Sequence, residues 1–284
     1  MEIITAQSSG FCFGVERAVN EVENQIAGGE KPVYTYGPII HNQQVVDSLS
    51  ARGVIVIHSE EELQNIHEGT IIIRSHGVSR RIQNIMEKSG ATVIDATCPF
   101  VKKIHGIAEE AGRNGEVLVI AGNPDHPEVQ GIMGWTEGEV HVVRDEKEME
   151  ELELAPGSRA VLVAQTTYNK TKFEDIVAIF TKKEYSYSVK YTVCSATDRR
   201  QTEARDIASK VDAMVVIGGR HSSNTQKLYQ ICSEKCRHTY FIETPDDLDM
   251  KPFQSFSRVG ITAGASTPKS IIEEVTLHVR RNEC

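Results

Sequence analysis

No run of this chain approaches the roughly 20 consecutive apolar residues that a membrane helix needs. The opening segment, MEIITAQSSG, has neither the basic stretch nor the apolar stretch of a secretory leader. We therefore expect no membrane span and a cytoplasmic protein. Positive charge is also short, since 31 lysines and arginines face 40 aspartates and glutamates, for a formal net charge of −9. Nucleic-acid binding draws on clustered cations, so this balance argues against a nucleic-acid partner. It leaves room for an anionic small molecule, because helix N-termini and neutral hydroxyl, amide and imidazole donors cradle phosphate without net positive charge. Arg199, Arg200 and Arg220 are expected to assist locally.

Closely spaced metal-binding cysteines are scarce too. Of the six cysteines only Cys232 and Cys236 are near each other, four apart on a predicted helix. That spacing alone is a weak zinc signal, and the pair reads as core or surface thiols. Cys284 is read as idle. Disulfides are not expected in a cytosolic enzyme of this size. The other three, Cys12, Cys98 and Cys194, lie 86 and 96 residues apart, so no local motif links them.

What links them is a repeat. In ATVIDATCPFVKKIHGIAEEAGR, a β-branched run stops at Asp95, Cys98 falls on the turn, and Pro99 opens a helix carrying Val101, Ile104, Ile107 and Ala108 at helical spacing. The same unit occurs around Cys12, after a strand at Glu2 to Thr5, and around Cys194, after an alternating stretch from Ser188 to Val193. A second strand, turn and helix follows each cysteine. Its turn carries His41 in the first copy, His126 and Glu128 in the second, and Ser222, Ser223 and Asn224 in the third. His41, His126 and Ser223 lie 29, 28 and 29 residues after their cysteines, so the register is shared. A third unit runs from a strand into an acidic capped segment, which the helix dipole favours, and reads as structural. A fourth strand ends at polar tips, with His76, then Thr166 and Thr167, then Ser266.

The chain thus reads as α/β, three pseudo-threefold-related βαβα domains of about 95 residues, a usual domain size. Their bounds are 1–96, 97–192 and 193–284, each domain a small, mostly parallel sheet, twelve strands in all. Ligand sites in such sheets form at the carboxyl edges of the strands. Around a pseudo-threefold axis the three cysteines would converge. Three convergent thiolates without a fourth fit a four-iron cluster with one iron left open for substrate. A zinc site and plain packing remain as alternatives.

The segments GFCFGVERAV, HNQQVVDSL, SHGVS, DATCPFV, HPEVQG, QTT, HSSN and TAGAS, in that order from first strand to last helix, resemble the 4-hydroxy-3-methylbut-2-enyl diphosphate reductase family. The resemblance implies a 4Fe-4S cluster, one per chain, on Cys12, Cys98 and Cys194, with one iron not bound by cysteine. It implies a diphosphate pocket of His41, His76, Ser222, Ser223, Asn224 and Ser266. Around the allylic hydroxyl it places His126, Glu128 and Thr166, with Thr167 adjacent. Pro127 restricts that turn and can aim Glu128 into the cavity, so we expect Glu128 to be the catalytic residue that relays a proton to the departing hydroxyl. The implied reaction is a reductive dehydroxylation yielding isopentenyl and dimethylallyl diphosphate, the last step of the methylerythritol phosphate route, with ferredoxin or flavodoxin as electron donor. Two competing readings are a quinolinate synthase-like three-cysteine dehydratase and an iron–sulfur carrier or sensor without a polar cavity.

Overall fold

The computed structural model describes residues 1–29, 32–183 and 185–281. Among the described residues, twelve short strands alternate with helices and fall into three four-stranded sheets, every strand pair of which is parallel. The central strands are continuous β-branched and aliphatic runs, such as TIII at Thr70–Ile73 and VLVIA at Val117–Ala121, and they are buried along their whole length. That pattern is what a parallel sheet covered on both faces requires.

The sheets share one strand order. The first contains β2 (Val33–Tyr36), β3 (Val54–Ile57), β4 (Thr70–Ile73) and β5 (Thr92–Asp95), in the order β3-β2-β4-β5. The second contains β6 (Val117–Ala121), β7 (Val140–Val143), β8 (Arg159–Ala164) and β9 (Ser186–Val189), in the order β7-β6-β8-β9. The third contains β10 (Ala213–Ile217), β11 (His238–Ile242), β12 (Arg258–Ala263) and β1 (Glu2–Thr5), in the order β11-β10-β12-β1. The domain bounds read from the sequence need a correction here. Strand β1 does not join the sheet of the repeat it opens but pairs with β12, with Glu2 opposite Arg258. The reason is circular closure. β5 and β9, which precede Cys98 and Cys194, each complete the sheet of the foregoing repeat, and the strand before Cys12 does the same for the third.

Chain packing divides these sheets between two units. One unit comprises residues 1–16, 41–46 and 195–284 and holds the third sheet. Its core sets Val215, Ile217, Val259 and Ile261 against Val275 and Val279 on one side, and Met214, Val216 and Leu228 against Ala204 on the other. The second unit comprises residues 17–40 and 47–194 and holds the first two sheets, with Phe173, Ile176 and Phe180 fully buried under the second. The acidic segments are structural as expected. Ser59 and Asp145 each accept a backbone N–H in the helix they precede, and Thr244 opens a capping box with Asp247. No helix among the described residues is long and apolar enough to cross a membrane.

In each sheet the chain leaves one central strand, passes to the edge, and returns on the other side, which makes a switch point between the two central strands. Such a crevice at the carboxyl ends is where open α/β sheets hold ligands. The turns bordering it follow β2 and β4, β6 and β8, and β10 and β12. These are the turns that carry the candidate residues.

Candidate active site

In the second sheet, β6 runs into a turn ending at His126, and Pro127 opens the helix α6 (Pro127–Met133), where its fixed φ suits the first helical position. His126 is the N-cap: its Nδ1 accepts the Glu128 backbone N–H at 3.1 Å. A neutral His126 with that acceptor carries its proton on Nε2. Glu128 is only 2% exposed, and both its oxygens accept from Thr166, Oε1 from the backbone N–H at 2.6 Å and Oε2 from Oγ1 at 2.8 Å. Burial pushes this carboxyl up to about 7, against the opposing pull of the two Thr166 hydrogen bonds. A carboxylic acid that is about half protonated near neutrality is suited to general acid chemistry.

Thr166 and Thr167 sit on the turn after β8, and the brace for that turn is Gln165, a residue the sequence reading quoted but gave no role. Gln165 is buried; its Oε1 accepts the Asn123 N–H at 3.2 Å and its Nε2 donates to Thr167 Oγ1 at 3.0 Å. Its place at the head of the QTT segment was the available signal. His76, after β4, meets His126 edge to face, with ring centroids 5.4 Å apart.

Each cysteine turn is stitched to a turn bearing candidate residues. Cys98, N-cap of α5 (Pro99–Arg113), donates its N–H to Ser75 O beside His76 at 3.0 Å. Cys194, just before α9 (Ser195–Ala208), donates to Thr166 O at 3.0 Å. Cys12, just before α1 (Phe13–Gly28), donates to Ala265 O beside Ser266 at 3.2 Å. All three cysteines are half-buried. The strand expected from Ser188 to Val193 is instead Ser186–Val189. The Thr192 hydroxyl bonds both the N–H and the C=O of Ala164, at 2.7 Å each, and so takes the place of a ladder rung.

In the unit holding the third sheet, the carbonyl of His41 accepts from Ser266 Oγ at 3.1 Å. The His41 turn also lies so close to Gly219 that a Cβ there would stand 2.5 Å from the same oxygen. Ser222 caps α10 (Ser223–Ser233), accepting the Thr225 N–H at 3.3 Å, which leaves its hydroxyl proton to donate elsewhere. Asn224 is 4% exposed, yet its Nδ2 and Oδ1 are buried without a hydrogen-bond partner. Leaving such groups unsatisfied costs about 1–3 kcal/mol, so a ligand is the expected partner. Serine hydroxyls, an amide and a helix N-terminus are donors of the kind that can cradle an anion.

Two of the cations expected near an anion are placed otherwise. Arg200 is 3% exposed and donates to the carbonyls of Ser8 and Gly10, and the Arg220 guanidinium lies over the Phe241 ring. Arg74, overlooked because an arginine at a strand tip looks solvated, has a buried Nε without a hydrogen-bond partner beside the His76 turn. Burial lowers its pKa to about 10 against the favourable field of Tyr36. Cys232 and Cys236 are core thiols, the former pushed up to about 12, first by burial and then by the latter. Cys284 lies outside the described residues. His105, left without a site role, is buried, stacked on Trp135 at 4.9 Å and held down to about 4 by burial.

Three like α/β sheets with polar turns at the carboxyl edges of their central strands, one of them holding a buried carboxyl, make the fold and site of an enzyme. The LytB protein model matches residues 3–280. The 4-hydroxy-3-methylbut-2-enyl diphosphate reductase of Thermoanaerobacter sp. (strain X514) is 44% identical over 282 residues, covering 99% of this chain and 97% of the relative. The Geobacter sulfurreducens reductase of the same name is 45% identical over 276 residues, 97% of this chain and 95% of its own. The solved structure of the E-1-hydroxy-2-methyl-but-2-enyl-4-diphosphate reductase from Plasmodium falciparum superimposes with a TM-score of 0.90 at 27% identity, over 97% of this chain and 87% of that one. The chain belongs to the LytB protein family.

Proposed function

We infer that this chain reduces (E)-4-hydroxy-3-methylbut-2-enyl diphosphate to isopentenyl and dimethylallyl diphosphate, the terminal step of the non-mevalonate route to isoprenoids. The observation that carries the reading is Glu128, a buried carboxyl held on both oxygens by Thr166 and poised near neutrality. The reaction replaces a C–O bond by C–H, consumes two electrons and two protons, and releases water. Hydroxide leaves poorly, so one proton must reach the departing oxygen. With Glu128 protonated, its O–H donates to Thr166 Oγ1, whose own proton turns outward to the substrate oxygen. His126, with its Nε2 proton, and Thr167, whose acceptor lone pair takes the Gln165 amide, orient that oxygen. His41, His76, Ser222, Ser223, Asn224 and Ser266 bind the diphosphate, using neutral donors in keeping with an acidic chain.

Cys12, Cys98 and Cys194 are the ligands of the cluster in this reading. Thiolates are the natural donors for iron–sulfur groups, and these three sit at equivalent half-buried turns while Cys232 and Cys236 are spent in the core. A 4Fe-4S cluster there would supply the electrons and a Lewis-acidic iron not bound by cysteine. Ferredoxin or flavodoxin is the proposed electron donor and the cytoplasm the proposed compartment. A quinolinate synthase-type dehydratase, which would bind carboxylates, gives no role to the Asn224 cradle.

The test is anaerobic turnover. Protein purified without oxygen should carry iron and sulfide at about four each per chain and convert the hydroxymethylbutenyl diphosphate to both isoprenyl diphosphates with a strong reductant. A preparation with full iron and sulfide that leaves the substrate unchanged would sink the reading.

A further inference from the structure

The helix that starts at one cysteine grips the turn that carries another. On α9, which begins right after Cys194, Arg200 and Glu203 stand three residues apart on one face. Arg200 donates from Nε to Ser8 O at 2.9 Å and from Nη2 to Gly10 O at 2.7 Å. Glu203 accepts the N–H groups of Gln7 and Ser8, at 2.7 and 2.8 Å, together with the Ser8 hydroxyl. Burial raises the Glu203 pKa, but the Ser8 and Gln7 hydrogen bonds outweigh it and hold this carboxyl below its usual value. Acceptors and donors of residues 7–10 are thus both taken by one helix face, two residues short of Cys12. Gly10 is held at φ +99°, a region that favours glycine, so the turn has one shape that the grip can fit. On α1, which begins right after Cys12, Arg17 reaches the carbonyl of Thr97, the residue before Cys98. Each grip lies inside one of the two units.

We propose that Arg17 and Arg200, the latter with Glu203, are positioning residues that hold the Cys98 and Cys12 turns in register for an iron–sulfur cluster. The proposal rests on the reading of the three cysteines as cluster ligands. Guanidinium suits the task because at Arg200 its planar fork spans two carbonyls, which the point charge of lysine cannot, and at Arg17 it carries its charge to the Thr97 carbonyl. A carboxylate three residues on takes the complementary N–H groups. The two arginines therefore serve the thiols rather than the substrate.

The test compares Arg17→Lys, Arg200→Lys and the exposed control Arg237→Lys with the wild type, each purified anaerobically with its cluster. Loss of the visible absorbance to an iron chelator is followed beside thermal unfolding of the cluster-free proteins. Loss of charged hydrogen bonds at a ligand turn, the one to Thr97 in Arg17→Lys and those to Ser8 and Gly10 in Arg200→Lys, should speed cluster release by about tenfold or more in the two gripping variants, and not in Arg237→Lys. The cluster-free unfolding midpoints should change far less. If Arg200→Lys fails to fold, Glu203→Gln, which removes the charge but keeps the shape, takes its place with the same expectation, and Arg17→Gln likewise replaces Arg17→Lys. Release at the wild-type rate, or release that rises only in step with lost fold stability, overturns the latch while the cluster reading stands. A wild type that binds no iron overturns the cluster reading, and the latch with it.

Discussion

Thr166 holds both oxygens of Glu128, with its backbone N–H on one and its hydroxyl on the other. The backbone bond fixes the carboxyl plane, and the hydroxyl bond is the one that can reverse direction. A proton on Glu128 is therefore connected to whatever lies beyond Thr166 Oγ1. Thr166→Ser keeps the hydroxyl, whereas Thr166→Val removes it at similar size. Turnover should fall within about tenfold for serine and by about a hundredfold or more for valine, measured at saturating substrate with iron content checked. Equal losses for the two would mean that the hydroxyl carries no proton.

The elevated Glu128 pKa sets a pH dependence. The acid form is populated below about 7, so kcat should decline as pH rises through that value. The sign for stability is the same. A carboxyl whose folded pKa is raised from 4.5 to about 7 contributes stability that is complete below 4.5 and is lost as pH rises through about 7. The total is on the order of 3 kcal/mol. Glu128→Gln should erase that dependence. Its apo form should be at least as stable as wild type at pH about 8.5, while its turnover drops by about a hundredfold or more. Turnover within a few-fold of wild type would move the proton to another donor, with His126 next in line.

The cysteine assignment separates by position in the fold. Cys12→Ser, Cys98→Ser and Cys194→Ser should each abolish the cluster absorbance. Cys232→Ser and Cys236→Ser, whose thiols pack in the core beside Ala204 and Val211, should keep it and lose only stability. Iron retention that depended on Cys232 would contradict the burial that keeps its thiol protonated.

Most of this geometry was legible because it rests on short-range chemistry. A β-branched run, a thiol and a proline predict a strand, a turn and a helix, and Cys98 is the N-cap before Pro99. The shared register found the switch-point turns without knowledge of strand order. What stayed hidden depends on partners distant in sequence. Nothing near Glu2 shows that β1 pairs with β12, and nothing near Arg200 shows that its guanidinium is turned toward Ser8 instead of an anion. The poise of Glu128 comes from burial and from Thr166, 38 residues on, so a pattern of residue types could mark the site but not its protonation.

Asn224 offers the sharpest test of the anion cradle, because its two predicted effects have opposite signs. The amide is buried at the start of α10 with neither its donor nor its acceptor hydrogen-bonded. In the ligand-free protein that arrangement is a liability, and replacing the amide with an apolar group of similar size removes it. Asn224→Leu should therefore leave apo stability unchanged or raise it by up to about 1–3 kcal/mol, read as a higher Tm with the cluster absent. If the amide is reserved for the diphosphate, the same variant loses a hydrogen bond to a charged group, worth about 1.5–3 kcal/mol, and binding should weaken by roughly ten- to a hundredfold. Asn224→Asp adds a carboxylate of nearly identical shape and should weaken diphosphate binding further, since like charge replaces a donor, while the parent alcohol lacking the diphosphate should respond little to either change. Titration calorimetry with inorganic diphosphate reads this without the chemical step. A variant that is more stable yet binds the anion more weakly is the outcome expected of a site that holds its amide unpaired for a ligand. A variant that loses stability and keeps its affinity would show that Asn224 belongs to the packing of α10 instead.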